Sequence, residues 1–97
     1  MKRTKETDLL FQAMLTLNTL DECYHLFEDV CTVKEIESMA QRLQVAQQLR
    51  GGKNYNRVSE DTGASSATIS RVNKCLLYGS GGYELVLNRL DSVEVEE

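Results

Sequence analysis

The sequence predicts an all-α fold of six helices. Three observations carry that prediction: apolar residues recur at spacings of three and four through most of the chain, no proline occurs in its 97 residues to break a helix, and no stretch alternates apolar and polar long enough for a strand. The length fits a single helical domain over residues 1–97 and is too short for a two-domain enzyme with a cleft between its halves.

The first helix is predicted over roughly residues 6 to 18, where Leu10, Ala13, Met14 and Leu17 fall on one face. Leu9, Phe11 and Leu15 widen that apolar surface beyond what a monomer of this size covers by itself, which predicts a partner subunit. Thr19-Leu20-Asp21-Glu22 has the form of a capping box, hydroxyl and carboxylate each satisfying an orphan backbone N–H. It starts a second helix with Leu20, Cys23, Tyr24, Phe27, Val30 and Cys31 at helical spacing. Another box, Thr32-Val33-Lys34-Glu35, opens a long third helix with Ile36, Met39, Ala40, Leu43, Ala46 and Leu49 inward, and Gly51-Gly52 ends it with a left-handed cap. A short helix follows from about Asn54 to Thr62, then one from about Ser66 to Tyr78 and a last one from Tyr83 to Leu90, with Asp91 to Glu97 expected to fray. Residues 8 to 49 hold most of the large apolar side chains and residues 50 to 66 only Tyr55, Val58 and Ala64, so the latter stretch is expected to be the softer part.

Nothing approaches the roughly 20 consecutive apolar residues of a membrane span, and Met1-Lys2-Arg3-Thr4-Lys5-Glu6 lacks the apolar run of a signal peptide, which predicts a soluble cytoplasmic chain without a membrane partner. Cys23, Cys31 and Cys75 are odd in number and without CxxC spacing, as expected of reduced, buried thiols rather than a disulfide framework or a metal site. Catalysis fails on inventory. His25 is the only histidine, Cys23 lies two residues away on another helix face, and Gly79-Ser80-Gly81-Gly82 lacks the lysine and preceding strand of a phosphate loop, so no catalytic residue and no cofactor is expected.

The formal net charge of −4 speaks against a nucleic-acid partner until it is divided along the chain. Residues 1 to 49 carry five basic and eight acidic side chains and residues 75 to 97 carry one and five, but residues 50 to 74 place Arg50, Lys53, Arg57, Arg71 and Lys74 against Glu60 and Asp61. Such a positive stretch between acidic flanks attracts phosphate locally, although without a motif it would be no more than a solvated face.

The motif lies in the same stretch, YNRVSEDTGASSATISRVNKC from Tyr55 to Cys75. A helix-turn-helix needs apolar residues locking two helices, a small residue where they cross and a turn residue that tolerates a left-handed backbone. Val58, Ala64, Ile69 and Val72 supply the lock, Ser59 the crossing and Gly63 the turn, with Thr62 a polar substitute at a usually apolar place. Ser65 or Ser66 N-caps the second helix, whose first turn, Ser66, Ala67, Thr68 and Ser70, presents short side chains suited to base edges. Double-stranded DNA is therefore the predicted partner, with Lys53, Asn56, Arg57, Ser65, Ser66, Ala67, Thr68, Ser70, Arg71 and Lys74 as the predicted contact residues. A helical protein-interaction module without DNA binding is the alternative.

Over about residues 31 to 90 the chain resembles the Trp repressor superfamily, in its short YerC/YecD type. The resemblance rests on CTVKEIESMAQRLQVAQQL and on GASSATISRVNKCL, which is similar to the family's Gly-Ala-x-x-Ala-Thr-Ile-x-Arg segment at Gly63, Ala64, Ala67, Thr68, Ile69 and Arg71. It implies an intertwined homodimer with residues 6–50 and 81–92 as the dimerisation core and 54–78 as the reading head. The resemblance further implies two such heads set in successive major grooves.

The resemblance also implies a tryptophan corepressor between the long helix and the recognition helix, with Thr32, Arg42 and Arg71 at the family's contact positions. Two residues depart from the pattern: the family's glycine is Val72 and its serine is Cys75, so a β-branched side chain enters the indole space and a thiol replaces a better hydrogen-bonding hydroxyl. A regulator independent of L-tryptophan is expected, and a small-molecule effector bound at Thr32, Arg42, Arg71, Val72 and Cys75 is the open alternative. Three readings of Arg71 remain: ligand contact, base reader, and phosphate or salt-bridge partner. Thr32 serves equally as an N-cap, and Arg42 as a solvated or ion-paired charge.

Overall fold

A computed structural model describes residues 1 to 96 of the chain. Six helices follow one another, α1 (Lys5–Met14), α2 (Leu20–Val30), α3 (Val33–Arg50), α4 (Tyr55–Thr62), α5 (Ser66–Tyr78) and α6 (Gly82–Glu96), and no strand occurs among the described residues. None of these helices is long and apolar enough to cross a membrane. The chain divides into two compact units, Met1–Ile36 and Glu37–Glu97.

In the first unit, side-chain hydroxyls decide where helices begin and end. A capping box the sequence reading missed opens α1: the Thr7 N–H donates to Thr4 Oγ1 at 3.1 Å, and the Thr4 N–H donates to Thr7 Oγ1 at 2.9 Å. The helix stops at Met14, not at residue 18 as expected. Thr16 donates to the Ala13 carbonyl from both its N–H (3.1 Å) and its hydroxyl (2.6 Å), and Leu17 N–H bonds Met14 O at 3.2 Å, so tight i−3 bonds replace the α-helical pattern without a glycine. The expected box at Thr19 is displaced by one residue, because Thr19 Oγ1 accepts from Glu22 N–H at 3.1 Å while Glu22 Oε1 accepts from Asn18 N–H at 2.8 Å. The Thr32 box closes as expected, with Glu35 N–H on Thr32 Oγ1 (3.1 Å) and Thr32 N–H on Glu35 Oε1 (2.8 Å). The bond from the Thr32 N–H, and after it the Thr32 side chain, holds the Glu35 carboxyl below the usual carboxylate range. No residue of α1 or α2 is buried, and Leu20, Cys23, Tyr24, Phe27 and Ile36 line an almost wholly apolar groove of about 210 Å³.

The second unit contains the core. Val45, Ala46, Val58, Ala64, Ile69, Val72 and Leu87 are at most 2% exposed, and Leu43, Leu49, Leu76 and Tyr83 pack against them. Each fully buried aliphatic side chain here contributes on the order of 1.5–3 kcal/mol. Of the seven buried residues, Val58 and Ala64 lie within residues 50–66, Ile69 and Val72 on α5, Val45 and Ala46 on α3 and Leu87 on α6, and none lies in the apolar-rich first two helices. One expectation is corrected. On α3 the buried residues are Val45 and Ala46, whereas Met39 and Ala40 are exposed: Val45 lies off the expected stripe and is recruited because α3 packs its C-terminal half against the head.

Glycine ends α3 as expected. Gly52 adopts φ 90°, its N–H bonds Leu49 O at 3.0 Å and Lys53 N–H reaches back to Gln48 O at 3.2 Å, the double closure of a Schellman motif. The last helix begins at Gly82 and runs on to Glu96, beyond the expected end at Leu90. No glycine or proline follows Leu90 to stop it, and Asp91 is tied to Arg50 by a 2.8 Å ion pair. Fraying was expected for Asp91 to Glu97; helix is found through Glu96, and Glu97 lies outside the described residues.

Candidate nucleic-acid interface

Two short helices and one glycine make the head. Asn54 caps α4, its Oδ1 accepting from Arg57 N–H at 2.9 Å, and Gly63 ends the helix at φ 72°, ψ 6°, a left-handed conformation any side chain would strain. Thr62 earns its unusual place: its hydroxyl donates to Val58 O at 2.7 Å and accepts from Ala64 N–H at 3.2 Å, bracing the turn from both sides. Ser59, the small crossing residue, donates to Ala64 O at 3.0 Å. Gln41 Nε2 donates to Thr62 O at 3.2 Å and so ties α3 to the turn, a contact too distant in sequence to be foreseen. Of the two serines offered as N-cap, Ser65 is the one used, accepting from Thr68 N–H at 3.2 Å.

With Ile69 and Val72 locked inward, helical periodicity aims the remaining side chains of α5 outward. Ser66, Ser70 and Lys74 follow one another at four-residue steps, Ala67 and Arg71 run beside them, and all five are exposed. Thr68 is half-buried, its Oγ1 3.1 Å from Ser65 Oγ. Asn56 is exposed on α4. Arg71 and Lys74 form no ion pair among the described residues.

The other basic residues are engaged. Lys53 Nζ lies 3.1 Å and Arg57 Nε 3.3 Å from Asp61 Oδ2. The Lys53 hydrogen bond is the largest influence on the Asp61 carboxyl; burial opposes it, the Arg57 and Lys53 charges reinforce it, and the carboxyl is held below its usual range. Sequence reasoning counted Asp61 merely as an acidic residue in a basic stretch; its four-residue offset from Arg57 was the available signal.

Of the residues weighed for a small ligand, Thr32 belongs to the first unit and Arg42, Arg71, Val72 and Cys75 to the second. Val72 is 1% exposed within the lock, Arg71 and Cys75 are exposed, and Arg42 Nε donates to Ser38 O at 3.4 Å. Two grooves of this unit, of about 250 and 410 Å³, are lined by Gln47, Arg50, Gly51, Leu87 and Asp91 and by Glu37, Ser38, Ala40, Gln41, Gln44 and Thr62, without Arg42, Arg71, Val72 or Cys75.

An all-helical chain whose α4 and α5 lock across a left-handed glycine belongs to the helix-turn-helix class. The family model described as Trp repressor protein matches residues 5–91, and the chain belongs to that family. It is 52% identical over 94 residues to the uncharacterized protein YerC of Bacillus subtilis (strain 168), covering 97% of this chain and 90% of that protein. Among solved structures it is similar to a TrpR like protein from Eubacterium eligens ATCC 27750, at 53% identity and a TM-score of 0.89 with 92% of each chain covered. A Staphylococcus aureus chain of known crystal structure superposes with a TM-score of 0.89 at 46% identity, over 92% of this chain and 89% of that one.

Proposed function

We propose that this chain is a sequence-specific DNA-binding transcriptional regulator, a repressor, that places its helix-turn-helix on double-stranded DNA as a cytoplasmic homodimer and has no enzymatic role. One observation carries the reading: α5 presents Ser66, Ala67, Ser70, Arg71 and Lys74 as a continuous exposed strip, held rigid from behind by Ile69 and Val72. Short side chains at the helix start permit close approach to base edges, directly or through water, and Arg71 reaches further as a base reader. Lys53, Arg57 and Lys74 meet phosphate, with Ser65 and Asn56 beside them. In this arrangement residues 54–78 are the reading head and residues 6–50 and 81–92 the dimerisation core.

Three phosphate contacts in each of two subunits set a ceiling of about −5 on the slope of log affinity against log salt, at roughly 0.9 per contact. Arg57→Ala is expected to weaken all duplexes alike, whereas substitutions at Ser66 or Thr68 are expected to change which sequences bind, since phosphate contacts position and base contacts specify. Titration of duplex DNA over a range of salt checks this. Equal effects of all these substitutions on every sequence would refute the assignment.

The regulator works without L-tryptophan in this proposal. Val72 fills the position where the family has glycine, and its side chain is spent on the lock between helices, where a ligand would otherwise intervene. Calorimetry and thermal melting with millimolar L-tryptophan are expected to show neither heat nor a shift, although a ligand at 100 times its Kd would stabilise the fold by about 2.7 kcal/mol. The chain has no tryptophan of its own, so indole fluorescence reports the ligand alone. Saturable binding that tightens the hold on DNA would restore the corepressor mechanism, with Thr32, Arg42 and Arg71 as its contacts.

A further inference from the structure

The cations of the head fall into two classes. Arg71 and Lys74 on α5 have no anionic partner among the described residues, whereas Lys53 and Arg57 converge on one oxygen, Oδ2 of Asp61, at 3.1 and 3.3 Å. The convergence is built by two separate local devices. A four-residue step on α4 places Arg57 and Asp61 on one face. The Schellman turn at Gly52 returns the chain so that Lys53 approaches the same face from outside the helix. Asp61 is the least exposed of the three side chains, 26% against 45% for Lys53 and 62% for Arg57, so the cations stand outward and the carboxylate behind them. Its lowered pKa keeps it ionised at neutral pH.

We propose that Asp61 is the internal counter-ion of the reading head: it occupies Lys53 and Arg57 until DNA phosphates displace it, and thereby restrains binding that rests on phosphate contact alone. The inference rests on the reading of the head as a DNA-binding surface. A bare cation binds phosphate by releasing ions condensed on DNA. A cation already neutralised by a fixed carboxylate gains less, because the displaced Asp61 either takes up a cation from solution or repels the phosphate beside it. Affinity falls and the salt slope flattens. Exposed ion pairs are individually weak, so the restraint is a few-fold and does not block binding. Cognate and random DNA meet the same cost, but random DNA offers only phosphates, while a cognate site adds base contacts from α5. The ratio of the two affinities is unchanged, and what Asp61 lowers is the absolute occupancy of non-cognate DNA wherever that DNA is not saturated.

The test is binding of the full chain to two unrelated random-sequence duplexes across a salt series. Asp61→Asn keeps an acceptor oxygen and loses the charge; it is expected to bind both duplexes about 3- to 10-fold more tightly and to steepen the slope by about one per head. Asp61→Glu is expected to keep the wild-type slope. Glu60→Gln removes an equal charge from the same helix, but Glu60 has no ion pair among the described residues, and it is expected to move log affinity by less than half as much. Lys53→Met and Lys74→Met read the restraint without touching Asp61: the neutralised Lys53 is expected to flatten the slope less than the unpaired Lys74. Asp61→Asn with unchanged or weaker binding, Glu60→Gln matching it, or equal slopes for the two lysine variants would overturn the proposal while leaving the DNA reading in place. A wild-type chain that binds neither duplex at low salt overturns both.

Discussion

Truncation of Ile69 to alanine is expected to cost about 2–5 kcal/mol of stability and, with it, DNA binding. Ile69, on α5, is 1% exposed and the largest of the fully buried side chains in a core of seven buried residues. Removing its outer atoms loses their transfer free energy and leaves a cavity that two short helices braced by the Thr62 and Ser59 hydrogen bonds cannot collapse to fill. Domains of this kind have roughly 5–15 kcal/mol in total, so the loss is a large fraction. Ser66→Ala, three residues earlier on the exposed face, is expected to stay within about 0.5 kcal/mol and yet to alter sequence preference. Urea unfolding at fixed protein concentration separates the two. An Ile69→Ala chain within about 1 kcal/mol of wild type would mean that the lock is not what holds the recognition helix.

Features legible in the sequence are those whose cause is local. A helix start is readable where an N-cap and its side-chain partner lie three residues apart, as at Thr32 with Glu35. The lock was readable because Val58, Ala64, Ile69 and Val72 keep fixed offsets around Gly63. Ends without a glycine were not: α1 stops on the Thr16 hydroxyl, and α6 continues past Leu90 where no residue type opposes it. Contacts across distance were invisible for a different reason. Gln41 on Thr62 spans 21 residues and Arg50 on Asp91 spans 41, and neither pair has a signature until the helices are packed. Val45 belongs with these, since its burial depends on what α3 meets, not on the stripe along α3 itself. Asp61 lies between the two cases, its pairing with Arg57 local and its pairing with Lys53 dependent on the turn.

The chain is expected to sediment near twice its 11.0 kDa mass, and Phe11→Glu is expected to abolish that assembly. The first unit has apolar surface and no core: α1 and α2 bury nothing, while Leu9 is 68%, Phe11 46%, Leu15 84% and Leu20 73% exposed. Helices of 10 and 11 residues are marginal in water unless an amphipathic face is packed, so something must cover these residues for the helices to persist. In the proposed dimer a second copy of the chain would supply the same apolar surface in return and close the assembly by two-fold symmetry. Folding and association are then one event, and the melting temperature of the wild-type chain is expected to rise with protein concentration. Phe11→Glu sets a carboxylate without a partner into that apolar contact and is expected to weaken association by at least about 100-fold, with loss of helicity at micromolar concentration. Gln12→Glu, one position along on the same exposed helix, adds the same charge without removing an aromatic ring and is expected to change the mass little. A stable 11.0 kDa species at micromolar concentration, melting at the same temperature over a hundredfold dilution, would show that the first unit stands without a partner and would leave each head to bind DNA alone.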